Sequence, residues 1–315
     1  MEEDGMSVTE RAGWRSPALG EANELELPDG RLRCFEAGEG APIVFVHGLL
    51  VNANLWRKVV ASLSREFRCI ALDLPLGSHL APAGERADLS PPGLAEMIAN
   101  ALEALGLDDA TLVGNDTGGA LAQILVTTRP ERVGRLVLTS CDFGDNFPPP
   151  AFRPLKVVAR VPGATEAVLT ALRPRAPRRL PLAYGWLAKR PIERAAEDSY
   201  VLPALADAGV RGDLRRALVA LDPRHTRRAA ARLPGFDRPA LVAWSRGDRF
   251  FPTRHAEELA RLLPDARLEW IDDSYTFAPE DRPDRVAELL AAFAREPARA
   301  TGAEPDASRA RAGRS

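Results

Sequence analysis

The segment Thr111-Leu112-Val113-Gly114-Asn115-Asp116-Thr117-Gly118-Gly119-Ala120-Leu121-Ala122 constrains this chain more than any other stretch. It reads as a short apolar strand, a tight turn and the start of a helix, with Gly114-x-Asp116-x-Gly118 at the bend. Glycines without a Cβ let strand and helix approach closely and let the central residue take strained backbone angles. Asp116 is then expected to stand at the top of a sheet. The Thr117 amide, at a helix N-terminus, points to where negative charge would develop. Taken alone, the pattern also fits an ordinary strand-to-helix turn with an Asp N-cap.

The flanking chain repeats the same unit. Glu24–Leu27 and Arg31–Glu36 surround Pro28-Asp29-Gly30, the signature of an edge hairpin. Ile43–Val46 is a continuous apolar run, as a strand covered on both faces requires, and it leads into His47-Gly48-Leu49-Leu50. Trp56–Leu63 has helical apolar spacing, and the strand Cys69–Leu72 leads into Asp73-Leu74-Pro75-Leu76-Gly77-Ser78-His79. Leu89–Leu105 is a helix capped by Ser90 with Pro91 at its first position. Strand Leu136–Thr139 follows the helix that Pro130 ends.

The alternation resumes with strand Ala240–Trp244, helix Thr253–Leu263, strand Arg267–Ile271 and helix Arg285–Phe293. This order predicts an α/β fold with a mostly parallel, doubly wound sheet. Residues 23–146 and 236–294 would form its core. Between them, residues 147–235 offer only amphipathic helical pieces (Thr165–Leu172, Ile192–Asp198, Arg211–Ala220). This insertion reads as a helical lid over the strand ends, or as a helical unit that only adds stability. Residues 1–22 read as a flexible lead-in and 295–315 as a disordered tail.

The chain has 315 residues, enough for one large domain with an insertion. A net charge of −2 gives no electrostatic case for nucleic acid. Cys34, Cys69 and Cys141 are isolated and lack metal-ligand spacing, and Gly114–Gly119 lacks dinucleotide-site spacing, so no metal or cofactor is expected. With no apolar leader and no run of ~20 apolar residues, the expectation is a cytoplasmic protein with no membrane partner. A small apolar substrate is the expected partner, and the oligomeric state stays open.

Four motifs in order carry a resemblance: His47-Gly48, Asp73-Leu74-Pro75-x-Gly77, Gly114–Gly118 and Gly247-Asp248. Together they resemble the α/β-hydrolase superfamily, over about Glu24 to Ala294. An elbow Asp resembles the branch holding haloalkane dehalogenases, fluoroacetate dehalogenases and epoxide hydrolases. The resemblance implies that Asp116 attacks an electrophilic carbon to form an ester, and that the Leu49 and Thr117 amides form an oxyanion hole. It further implies that a His-activated water hydrolyses the ester while an acid orients that His. Asp248 matches the orienting acid, and also fits a cap for the helix near Thr253. The implied activity is hydrolysis of an epoxide, haloalkane or ester.

The chain departs from that pattern at one decisive position. Aligned on Phe277 and Pro283, the place of the His holds Thr276, which cannot deprotonate water. Of the four His, His47 belongs to the oxyanion loop, His225 to the insertion, and His255 to an exposed face of the helix after Asp248. His79 either replaces the base or is a loop His bound to backbone. Asp142, just past Leu136–Thr139, could orient a base or hold a water against the ester. Tyr184 and Tyr200 could protonate an epoxide oxygen, or pack as core. His47, Trp56, Tyr184, Tyr200 and Thr276 are the expected substrate-binding residues. Thr117 stands where dehalogenases commonly carry Trp, and Leu49 where an Asn donor often follows His-Gly, so a leaving halide would be poorly stabilised. The alternative is a catalytically weak relative that binds a small apolar ligand or a protein in the same pocket.

Overall fold

A computed structural model describes residues 14–28 and 30–296. Eight strands form one sheet in the order β1-β2-β4-β3-β5-β6-β7-β8: β1 Glu21–Leu27, β2 Gly30–Ala37, β3 Pro42–Val46, β4 Arg68–Leu72, β5 Ala110–Asp116, β6 Val133–Cys141, β7 Ala240–Ser245 and β8 Ala266–Ile271. The pairs β1–β2 and β2–β4 are antiparallel, and every other pair is parallel. The edge hairpin thus forms as expected, although Asp29 of its turn lies outside the described residues.

Covering helices follow from the apolar spacing. Arg57–Leu63 and Pro283–Ala294 pack on one face of the sheet, with Phe45, Trp56, Val60 and Phe293 in a single apolar cluster. Pro91–Ala104 and Thr117–Thr128 pack on the other, with Val44, Val46, Leu94 and Leu121. Alternate residues of β3 therefore supply opposite layers, which is why its sequence is apolar throughout. Each such buried side chain contributes about 1.5–3 kcal/mol. Ser90 accepts a hydrogen bond from the Gly93 amide and starts Pro91–Ala104.

At the bend after β5, Asp116 has φ 54° and ψ −130°, a conformation rare for a side-chain-bearing residue. A Cβ on Gly118 would lie 2.4 Å from the Val46 carbonyl oxygen, so the helix start abuts the end of β3. Among the described residues no strand lies between β6 and β7; that stretch carries the helices Ala164–Ala171, Arg194–Ala206, Ala208–Ala220 and Pro223–Arg232. The expected piece Ile192–Asp198 in fact begins at Arg194 and runs to Ala206, with Pro203 inside it. Asp207 then caps the next helix, accepting from the Gly209 and Val210 amides. Phe147, Leu169, Val210, Leu214 and Leu221 form a separate small core here.

Two boundaries are corrected. Residues 14–22 are held rather than free, because the buried Arg15 donates to Asp73 Oδ2 at 2.7 Å and to the Ser78 carbonyl at 2.7 Å. Arg295 and Glu296 are likewise tied, to Glu66 and Arg267, each at 2.6 Å. The rest of the predicted lead-in and tail, residues 1–13 and 297–315, lies outside the described residues. No helix of the described residues is long and apolar enough to cross a membrane.

Candidate active site

Three neighbouring parallel strands each lead to an aspartate at the same sheet edge. Asp116 ends β5, Asp142 follows β6 and Asp248 follows β7. In the β5–β6 register Asp116 pairs with Cys141, which puts Asp142 beside the bend. Above lies a cavity of about 110 Å³ whose walls include Leu49, Leu50, Asp116, Thr117, Asp142 and Tyr184. Most of the remaining wall is apolar and comes from the helical segment, for example Leu172, Leu182 and Leu187.

The Thr117 and Leu49 amides, the two expected oxyanion donors, lie beside the Asp116 carboxylate and favour its charged form. A Cβ on Gly48 would fall 2.1 Å from Asp116 Oδ2, so only glycine leaves room for that carboxylate. Asp116 is open to solvent only in part. Burial pushes its acid up to about 7; the two amides work against the rise and the Asp248 charge adds to it.

Asp142 is 1% exposed; its Oδ2 accepts from Thr117 Oγ1 at 3.4 Å, and its Oδ1 has no hydrogen-bond partner among the described residues. Burial, then the Asp116 charge, raise this acid well above the usual carboxylate range. Thr117 therefore serves both carboxyls, with its amide to Asp116 and its hydroxyl to Asp142. Burial and the repulsion between the two carboxylates therefore both favour a protonated form of the pair.

Asp248 Oδ1 accepts from the Phe250 and Phe251 amides at 2.8 Å each and from Thr276 Oγ1 at 3.1 Å. It caps the turn before helix Thr253–Leu262 rather than the helix itself, whose N-cap residue is Pro252. Burial raises Asp248 to about 6 against those hydrogen bonds. Thr276 is fully buried, and its carbonyl accepts from Asn115 Nδ2 at 2.8 Å. The loop after β8 is thereby fastened to the residue before Asp116.

The other expected site residues lie elsewhere or serve structure. His47 accepts from the Leu74 amide at Nε2, 2.9 Å, and its Nδ1 lies 2.8 Å from the Gly48 carbonyl, so Nδ1 carries the proton. Burial lowers its pKa to about 4, which keeps it neutral. It braces the loop that carries Leu49. His79 is buried against Asp213 of helix Ala208–Ala220, Nε2 to Oδ2 3.2 Å, and does not line the cavity. Trp56 is fully buried against Phe45, with ring centres 5.0 Å apart, and is likewise absent from the wall. Tyr184 lines the cavity and donates to the Leu50 carbonyl at 2.8 Å. Tyr200 instead donates to Glu280 at 3.2 Å inside the core. His255 is 8% exposed and stacks edge-on against Phe143, which overturns its expected exposure. Asn115 and Asp213 carried no sequence signal, because their partners lie 161 and 134 residues away. Among the described residues no group of three or more His, Cys, Asp or Glu is placed to hold a metal ion.

A parallel sheet with an antiparallel edge hairpin, a strained residue at a strand-to-helix bend and converging amides define the class, an α/β-hydrolase architecture. The family model described as alpha/beta hydrolase fold matches residues 41–283, and the chain belongs to that family. It is 28% identical over 279 residues to haloalkane dehalogenase 2 of Mycobacterium tuberculosis, covering 86% of this chain and 93% of that protein. The crystal structure of haloalkane dehalogenase DbeA from Bradyrhizobium elkani superposes with a TM-score of 0.72 at 21% identity, covering 87% of this chain and 97% of that one. That of a putative lipase from Acinetobacter baumannii does so with 0.70 at 19% identity, covering 91% and 93%. These two likenesses are of fold.

Proposed function

We propose that the protein is a hydrolase in which Asp116 is the nucleophile and Asp142 is its proton partner, acting on a small apolar electrophile with an oxygen leaving group, an epoxide above all. The observation that carries this reading is the pairing of Asp116 and Asp142 through Thr117 at the floor of an apolar cavity. The amides of Leu49 and Thr117 favour the charged form of Asp116. The shared proton then sits on Asp142, where the uncharged carboxyl is a donor.

In the first step an Asp116 oxygen attacks the substrate carbon, the carbon–oxygen bond breaks, and the Asp142 proton goes to the departing alkoxide. In the second, Asp142, now a carboxylate, takes a proton from water as that water adds to the carbonyl carbon of the Asp116 ester. The resulting oxyanion falls to the Leu49 and Thr117 amides; on collapse the carbon–oxygen bond to the product breaks, the product alkoxide takes the proton of the new Asp116 carboxyl, and Asp116 is left as a carboxylate and Asp142 as an acid. Asp142 thus takes the part of the absent His, while Asp248, held by two amides and Thr276, supports the neighbouring backbone. The helical segment 147–235 acts as the lid that keeps the cavity dry.

This reading favours an oxygen leaving group over a halide, since the proton on Asp142 serves an alkoxide and Thr117 offers no indole donor. It is tested by screening small alkyl epoxides with wild type and Asp116→Asn. Mass spectrometry of acid-quenched enzyme should show an ester on Asp116 in wild type and none in Asp116→Asn. Equal turnover by Asp116→Asn would overturn it. The second reading, a binding protein without turnover, draws on Thr276 in place of the His, and predicts ligand stabilisation with no product.

A further inference from the structure

A second cavity, of about 320 Å³, opens in the helical segment and shares Tyr184 with the first. Its lining is basic: Arg175, Arg178, Arg179, Lys189, Arg190 and Arg194 face the acid Glu197. Some of these charges are neutralised in place. Arg178, 1% exposed, donates to Asp198 at 2.7 Å and lies 3.5 Å from Glu197; Arg175 reaches Asp198 at 2.5 Å; Lys189 pairs with Asp273 at 2.6 Å, and Arg190 also pairs with it. Among the described residues Arg179 and Arg194 have no acid partner, and both are exposed at this cavity. Residues 148–192 carry nine Arg and Lys against Glu166 alone, in a chain of net charge −2. The positive field is therefore concentrated on this segment.

The surface around the two cavities is unusually apolar. Leu180, Leu182 and Trp186 are 58%, 59% and 43% exposed, and Leu182 also lines the Asp116 cavity. Cations that bind a fixed anion beside apolar side chains that bind a chain are the two halves of an amphiphile site.

We propose that the basic cavity binds the anionic group of a single-chain amphiphile whose apolar, reactive end lies in the Asp116 cavity. The inference rests on the hydrolase reading for the reactive end only. Electrostatics sets the orientation: the negative charge on the floor of the first cavity repels the anionic end, and Arg179 and Arg194, without acid partners among the described residues, attract it in the second cavity. The substrate would then be an alkyl chain bearing a phosphate or carboxylate at one end and the electrophilic carbon at the other.

The test measures binding of octyl phosphate and of octanol by calorimetry to wild type, Asp116→Asn and the double variant Arg179→Ala/Arg194→Ala. Both substitutions of the double variant remove exposed side chains without ion-pair partners, so an unchanged melting temperature verifies its fold. Octyl phosphate should bind wild type and Asp116→Asn alike, and the double variant about tenfold more weakly, while octanol shows no difference. With an epoxide carrying a terminal carboxylate, the double variant should raise KM about tenfold at unchanged kcat, and leave KM for a neutral alkyl epoxide as it was. Equal affinity for octyl phosphate and octanol, or no effect of the double variant on either, would overturn the proposal. Sedimentation with phosphatidylglycerol but not phosphatidylcholine vesicles, without binding of soluble octyl phosphate, would also overturn it, in favour of a lipid-facing patch. Octyl phosphate binding with no epoxide turnover would leave the site standing and remove the hydrolase reading; turnover with no effect of the arginines would do the reverse.

Discussion

Thr276 Oγ1 donates to Asp248 Oδ1 at 3.1 Å, so a neutral hydroxyl sits on one oxygen of a buried acid. Thr276→Val removes that donor and leaves Asp248 Oδ1 with the Phe250 and Phe251 amides alone. The expected cost is about 1–2 kcal/mol of stability. Turnover should change less than tenfold, because Thr276 transfers no proton. Denaturant unfolding and steady-state rates check both; a collapse of kcat with intact stability would put Thr276 in the chemistry.

The carboxyl pair should impose a bell-shaped pH dependence. Activity needs Asp116 ionised and Asp142 protonated, so kcat/KM should rise as the pair loses its first proton and fall as it loses its second. Asp142→Asn should abolish the alkaline limb and most of the rate. A pH profile flat on both sides would contradict a shared proton.

Stability should move with pH in the opposite sense to an ordinary acidic surface. Asp116 is raised to about 7 and Asp248 to about 6 in the fold, against about 3.9 for an unperturbed Asp. Acids raised by folding contribute stability that is complete below the unfolded value and is lost as pH climbs through the folded one. Melting temperature should therefore fall between about pH 4 and pH 8, and Asp116→Asn should be more stable than wild type at pH 8 by on the order of 2 kcal/mol. Thermal melts across that range measure it.

Gly48→Ala would bring a Cβ to 2.1 Å from Asp116 Oδ2. The carboxylate must swing away from the Leu49 and Thr117 amides, costing about 1–3 kcal/mol of stability and about a hundredfold or more in rate. Circular dichroism with kinetics separates the two effects. Wild-type kinetics in this variant would show that the carboxylate position does not matter.

The buried pair Arg15–Asp73 predicts an asymmetry. Removing one partner, as in Arg15→Met, leaves Asp73 buried without its counter-charge and should cost about 3–5 kcal/mol. Replacing both by apolar residues should recover most of that loss, as measured by urea unfolding of the single and double variants.

The periodicities of two and of three to four residues made the sheet and its helices legible, since continuous apolar runs such as Ile43–Val46 have no place except between two layers. The bend at Asp116 was equally readable, because strain and close approach demand glycines at set spacings. What sequence reasoning could not reach was any pairing that depends on distant side chains. His79 stands at the right edge of the sheet, yet Asp213, 134 residues later, claims its imidazole. Tyr184 and Tyr200 looked equivalent, but one reaches the Leu50 carbonyl and the other the core acid Glu280. The lead-in was misjudged at Arg15 because composition alone gives no sign of a buried counter-charge at Asp73.

Leu49 and Leu50 are consecutive: the amide of the first steadies the Asp116 carboxylate, and the carbonyl of the second is clasped by Tyr184. Roof and floor are thus coupled mechanically through one dipeptide. Loss of the Tyr184 hydroxyl would free the Leu50 carbonyl, one peptide unit from the amide that favours the charged form of Asp116.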